Sequence, residues 1–135
     1  MVSTWDDVRE VVAGPHGLLS GSQAPGMVVE CSSISLEGSA EFRALLAARG
    51  VEMLAAPVSG NAKVVKAGRL SFVCSGSKAA FDAALPYLKM IAPSASYVGE
   101  GELARIEEEV ILTPTGPKVI SLYPAQELPV ANPYR

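Results

Sequence analysis

Ser59, Gly60 and Asn61 stand together in a loop that follows an apolar run. A glycine lets a ligand approach the backbone, and serine and asparagine supply donors for a carboxylate or a hydroxyl. The same three residues also suit a plain polar loop that starts a helix. Two further hydroxyls, Ser32 and Ser33, close the apolar run at residues 27–32. They either reach a ligand or cap the helix that begins near Ser35. Gly76 and Ser77 follow a third run. Ligands of an open parallel sheet lie beyond the carboxyl ends of its strands, so all three segments are expected at one edge.

Other candidates are sparse. His16 lies among glycines with no serine nucleophile or acid near it in sequence, which fits a turn or surface position. Glu107, Glu108 and Glu109 form an acidic run, and in a strand Glu107 and Glu109 share one face. That is either a metal feature or a solvated edge strand. Cys31 and Cys74 each sit inside an apolar run, as buried reduced thiols do. No G-x-G-x-x-G turn and no Walker loop occurs, so the sequence has no obvious cradle for a pyrophosphate.

Composition bounds what these residues can serve. The 135 residues are 49% hydrophobic and 19% charged, which predicts a packed core of one domain. A net charge of -3 and a pI near 5.1 give no general attraction to nucleic acid or anionic membrane. The first residues carry acids where a signal peptide carries basic ones, and the apolar stretches are too short to span a bilayer. A soluble, cytoplasmic protein is expected.

The elements that would position the site follow from periodicity. Thr4 with Asp7 looks like a capping pair, and Trp5, Val8, Val11 and Val12 recur at helical spacing up to Gly14. The turn-rich segment after it allows one helical turn at residues 16–19. Residues 27–32 read as a buried strand. Ser35 can cap a helix with Phe42, Leu45 and Leu46 on its apolar face, ended by Gly50. A strand at 51–56 runs into the Ser-Gly-Asn loop, a short helix or turn follows, and residues 69–76 form a strand. A helix over 77–91 carries Phe81, Leu85, Leu88 and Ile91 on one side, with Pro86 a possible kink. A short strand closes the series near Gly99. Strands alternating with helices of this length predict an α/β domain of crossover units with a mostly parallel sheet. Beyond residue 100, Val110–Thr113 and residues 119–123 flank a Pro-Thr-Gly-Pro turn. They predict a C-terminal β-hairpin followed by an extended, Pro-rich arm.

Three strings carry a more specific likeness: residues 30–36 (Glu-Cys-Ser-Ser-Ile-Ser-Leu), 55–61 (Ala-Ala-Pro-Val-Ser-Gly-Asn) and 67–70 (Ala-Gly-Arg-Leu). In order and spacing, over residues 1–106, the chain resembles the β-hydroxyacid dehydrogenases. These include 3-hydroxyisobutyrate dehydrogenase and share the NAD(P)-binding domain of 6-phosphogluconate dehydrogenase. The resemblance implies a Rossmann-like three-layer domain, NAD or NADP as cofactor, and oxidation of a β-hydroxyacid. It implies substrate-carboxylate binding by Ser59 and Gly60, with Asn61 in place of a second glycine, and a hydroxyl near the nicotinamide ribose from Ser33. Glu30, Leu36 and Ala55 depart from the family's aspartate, proline and aspartate. The family's glycine-rich turn is expected before Met1. Its catalytic lysine is expected on a helix where this chain reads Glu107, Glu108, Glu109 and Val110.

A second resemblance covers residues 104–130, which are similar to the end of pita-bread metallopeptidases such as prolidase. It implies a metal-ligand ancestry for Glu107, without the family's other ligands. The two likenesses meet at Ala104, Arg105 and Ile106, as two gene pieces fused at a shared stretch would. The domain expectation is a truncated nucleotide-binding domain over 1–103 and a hairpin tail over 104–135. The functional expectation is residual cofactor or hydroxyacid binding without turnover. The competing expectation is a non-catalytic, self-associating remnant. The open sheet edge or a swapped hairpin would then hold a homo-oligomer together. Nucleic acid, membrane and metal are not expected partners.

Overall fold

A computed structural model describes residues 1–2, 4–60, 62–105, 110–113 and 116–119. The chain divides into two units, Met1–Arg105 and Ile106–Arg135.

In the first unit, α1 (Trp5–Ala13) begins at Thr4, and a complete capping box forms. The Thr4 Oγ1 accepts from the Asp7 N–H at 3.1 Å, and the Asp7 carboxylate accepts from the Thr4 N–H at 2.9 Å. Two of the donors that a helix start leaves open are thereby satisfied. Val8 and Val12 are buried, Trp5 is partly so, and Val11 stays exposed. The segment at 16–19 forms turns rather than helix, with Leu19 tucked into the core.

β1 (Met27–Glu30) leads to α2 (Leu36–Ala47), whose N-cap is Ser35 accepting from the Gly38 N–H at 3.0 Å. Phe42 and Leu46 on α2 are fully buried. β2 (Glu52–Ala55) pairs parallel with β1, from Met27 against Glu52 to Glu30 against Ala55. β3 (Val58–Ser59) continues just beyond it, and α3 (Ala62–Lys66) follows. β4 (Ser71–Ser75) is followed by α4 (Lys78–Ile91) and β5 (Ser94–Gly99), which runs parallel to β4. A single 3-10 turn, Leu103–Arg105, ends the unit. Pro86 lies inside α4 without ending it.

Alternation along β2 explains the three layers. Met53 and Ala55 point to one face and pack with Val8, Val12, Phe42 and Leu46 from α1 and α2. Leu54 and Ala56 point to the other and pack with Phe81, Ala84 and Leu88 of α4. With both faces covered, Met53, Leu54 and Ala55 of β2 and Phe72 and Cys74 of β4 are all buried. Ile91, expected on the apolar side of α4, is exposed; Ala80 and Ala84 line the inner face instead, where small side chains let the helix sit close to the sheet.

One connection departs from the crossover pattern. The β1–β2 and β4–β5 ladders are parallel, but β4 runs antiparallel to β2 and β3, with Ala55 opposite Ser75 and Ser59 opposite Ser71. The five residues of α3 are too few to carry the chain across a sheet face and back, so the chain turns round at one edge instead.

In the second unit, β6 (Val110–Thr113) and β7 (Gly116–Val119) form an antiparallel hairpin with Val110 opposite Val119 and Thr113 opposite Gly116. The second strand starts three residues earlier than expected, because Gly116 and Pro117 already belong to the ladder. The expected arm and Glu107 lie outside the described residues.

Candidate functional site

The carboxyl ends of β1 and of the β2–β3 line point the same way, and Ser33 and Ser59 stand at that end. Ser33 is exposed just beyond β1. Neither Ser33 nor Ser32 caps the helix, since Ser35 does. Ser32 is instead buried, where its Oγ accepts from the Val2 N–H at 2.9 Å and its own N–H donates to Glu30 Oε1 at 2.6 Å. Of the two hydroxyls, Ser33 therefore faces solvent at the strand end and Ser32 ties the start of the chain to β1.

Ser59 and Gly60 are both exposed. Gly60 has φ +140, and a Cβ there would come within 2.9 Å of Val64 Cγ1. Only glycine fits, both for backbone reasons and because the loop lies directly on α3. The Ser71 hydroxyl reaches toward the Ser59 carbonyl at 3.5 Å, across the register pair Ser59–Ser71. Asn61 lies outside the described residues.

Gly76 and Ser77 are not part of this end. Because β4 is antiparallel to β2, with Ser75 opposite Ala55, the chain beyond it runs back along β2 to the amino end, where the Ser77 hydroxyl donates to Glu52 Oε1 at 2.7 Å. Ser77 also caps α4 by accepting from the Ala80 N–H at 3.0 Å. The strand direction, invisible to periodicity, decides this. Conversely, Ser71 comes opposite Ser59 through the same reversal, and Arg69, two residues before it, folds back onto α3; their only sequence signal was the short span between the Ser-Gly-Asn loop and the next strand.

A cavity of about 110 Å³ lies between α1 and β1, lined in part by Val8, Val12, Val28, Phe42, Glu30 and Ser32. His16 is exposed in its turn, as its sequence setting suggests.

The two cysteines are free. Glu30 opposes Ala55 and Ala55 opposes Ser75, so Cys31, Ala56 and Cys74 form one row across three strands, facing α4. Adjacent strands are about 4.8 Å apart, so the two cysteines sit roughly 9.6 Å apart, beyond the reach of a disulfide. Burial, and secondarily the neighbouring Cys31, push the Cys74 thiol up from 9.0 to about 11. The native state therefore holds this proton where the unfolded chain has released it. Stability should fall as pH rises from 9 to 11, seen as a falling urea midpoint, and Cys74→Ala should remove that part of the decline. A pH-independent midpoint over this window would contradict the assignment.

The comparisons agree with the geometry. Residues 1–99 match the family model of the NAD binding domain of 6-phosphogluconate dehydrogenase, and the chain belongs to that family. Among its relatives, 2-(hydroxymethyl)glutarate dehydrogenase of Eubacterium barkeri is 32% identical over 108 residues, covering 78% of this chain and 36% of the relative. The solved 3-hydroxyisobutyrate dehydrogenase of Mycobacterium tuberculosis with L-serine superposes with a TM-score of 0.68 at 27% identity, over 78% of this chain and 35% of that one. A structure titled Psf3, in complex with NADP+ and 2-OPP, matches with a TM-score of 0.65 at 30% identity, over 74% and 36% of the respective chains. The chain thus spans little more than a third of the length of the relatives it matches. Relationship to the NAD(P)-dependent β-hydroxyacid dehydrogenases is established, and NAD(P) is the cofactor of that kinship. No helix among the described residues is long and apolar enough to cross a membrane.

Proposed function

We propose that this chain retains hydroxyacid and dinucleotide contacts of the β-hydroxyacid dehydrogenases without turning substrate over on its own. The observation that carries the reading is the exposed Ser59-Gly60 loop at the carboxyl end of the sheet, the same end as the exposed Ser33. The Ser59 hydroxyl and the loop's backbone N–H groups would hold the substrate carboxylate, and the Ser33 hydroxyl would meet the nicotinamide ribose. Asn61 extends this loop in sequence and belongs to the same reading. The exposed strand end fits the nicotinamide half of NAD or NADP. The pyrophosphate half has no glycine turn in this sequence, which argues for weak binding. When bound, NAD(P) supplies hydride chemistry. The chain's residues would orient the hydroxyacid. No lysine stands at 107–110, where the family's proton-transferring lysine is expected, so turnover is assigned to no residue of this chain. We place the protein in the cytoplasm, in keeping with its free thiols.

Calorimetry with NADP and 3-hydroxyisobutyrate tests this. We expect millimolar-range binding, weakened roughly tenfold by Ser59→Ala through loss of a hydrogen bond to a charged group. No heat at ten times that ligand range would reject the reading, and NADPH consumption above background would reject the absence of turnover.

A second reading has its own observation. Among the described residues, β1 is an end strand of its sheet with no strand paired on its outer side, and Val28 and Val29 lie there beside the α1 cavity. Such an edge recruits a strand, and a second copy of the chain would supply a self-associating structural role. Light scattering across a concentration series decides: a mass fixed at one chain rejects it.

A further inference from the structure

The acids and bases of this chain are segregated around the loop just described. From Met53 to Phe81 there is no aspartate or glutamate, although the chain holds 14 acids. The same stretch carries Lys63, Lys66, Arg69 and Lys78. The first three follow the Ser59-Gly60 loop within nine residues, on α3 and the turn after it. Lys63 and Lys66 are three residues apart and so share a face of α3, which starts two residues after Gly60. The chain then reverses through Gly68 at φ +65, with the Arg69 N–H donating to the Val64 carbonyl at 3.0 Å. That bond brings Arg69 back onto α3. Val64 is also the residue Gly60 rests against, and Leu70, next to Arg69, lies 3.6 Å from a Cβ built on Gly60. Two residues beyond Arg69, Ser71 is paired with Ser59 itself. Lys63, Lys66 and Arg69 are exposed, and Lys66 and Arg69 join none of the salt bridges among the described residues.

We infer that Lys66 and Arg69, with Lys63, make the Ser59-Gly60 site selective for a dianionic hydroxyacid, one bearing a second carboxylate or a phosphate. The inference rests on the reading of Ser59 and Gly60 as the carboxylate site. The first acid group would sit on the loop, and the second would face the cations on α3 and its turn. A monocarboxylate leaves that charge unused. In a chain of net charge -3, this acid-free stretch of sequence is the segment least repulsive to a dianion. The same cations suit a cofactor phosphate, so the test must separate the two sources.

The experiment is calorimetric titration of the full chain with 2-(hydroxymethyl)glutarate, 3-hydroxyisobutyrate, NAD and NADP, at low and at 0.5 M salt. The proteins compared are the natural one and the Lys66→Gln, Arg69→Gln and double variants. These side chains are exposed, and circular dichroism confirms that each variant is folded. We expect the dicarboxylate to bind about tenfold tighter than the monocarboxylate at low salt. High salt and the double variant should each abolish most of that preference, while leaving the monocarboxylate within about twofold. Equal binding of the two acids, or a preference untouched by the double variant, overturns the inference and leaves the Ser59 reading standing. A double variant that weakens NADP against NAD and leaves the acids unchanged also overturns it, and gives the patch to the cofactor phosphate. If neither acid binds, both readings fall together.

Discussion

Arg43→Ala is expected to lower the unfolding free energy by about 3–5 kcal/mol, the range for removing one partner of a largely buried pair. Every face of this guanidinium is engaged. Its Nε donates to Glu102 Oε1 at 2.6 Å, Nη1 to the Met53 carbonyl at 2.7 Å and Nη2 to the Gly101 carbonyl at 3.0 Å. The other oxygen of Glu102 accepts from the Ser39 hydroxyl. The side chains of Arg43 and Glu102 are 27% and 11% exposed, so solvent repairs little of the loss. Arg43 thereby joins α2, the middle of β2 and the turn after β5. Its removal leaves the Glu102 carboxylate with the Ser39 hydroxyl but no cation, and takes one donor from each of the Met53 and Gly101 carbonyls. Arg43→Lys keeps the charge but cannot reach three acceptors in a plane, so it should recover only part of the stability. Urea unfolding measures both variants. The double variant with Glu102→Ala should be less destabilised than the two single losses combined, because each removes the same interaction. A strictly additive cycle would show that the pair does not couple. The turn at 99–105 should lose hydrogen-exchange protection first, although the Ala104 N–H still donates to Ser75 Oγ at 2.9 Å.

Phe42→Ala is the second large effect, again about 3–5 kcal/mol. Phe42 is completely buried and packs edge-on against Trp5, with ring centroids 5.9 Å apart. It also lines the cavity of about 110 Å³ beside α1, so truncation would widen an existing void rather than open a sealed one. Its neighbours on β2, Met53 and Ala55, are held by the sheet and cannot collapse into the space. The melting temperature should fall by roughly 10 °C or more, against a total stability on the order of 5–15 kcal/mol for a domain of this kind. Phe42→Leu should cost much less. A shift of only a degree or two for alanine would mean that water or a rearranged α1 fills the space at little expense. Together, residues 42 and 43 make α2 the element on which both the core and the exit from the unit depend.

The site predictions depend on finer features. Gly60 and Gly76 look alike in sequence, each closing an apolar run, yet their positions differ. Gly60 sits at the ligand end against Val64. Gly76, at φ +146, is pressed against the Met53 carbonyl, which a Cβ would meet at 2.8 Å. The Gly76 N–H donates to the Gly99 carbonyl at 3.0 Å, and its carbonyl accepts from the Tyr97 hydroxyl at 3.0 Å. This glycine permits close strand contact, and a loop residue before a helix can serve that purpose as readily as it serves a ligand.

Local chemistry made much of the first unit readable in advance. Caps at Thr4 and Ser35, the spacing of Val8, Val12, Phe42 and Leu46, and the apolar runs of β1, β2 and β4 all act over a few residues, so sequence alone placed them. The ordered strings around Ser33 and Ser59 likewise carried the family, because they recur in order and spacing along one stretch of chain. Three things were decided only by the tertiary structure. The direction of β4 depended on whether residues 60–70 crossed the sheet or turned back, and both fit the same periodicity. That direction took Ser77 away from the carboxyl end of β2 and set Ser71 opposite Ser59. The Arg43–Glu102 pair joins residues 59 apart, and the Cys31–Ala56–Cys74 row follows from the register of three strands. Each is a long-range contact chosen by packing the whole sheet, and no short segment carries enough information to specify it.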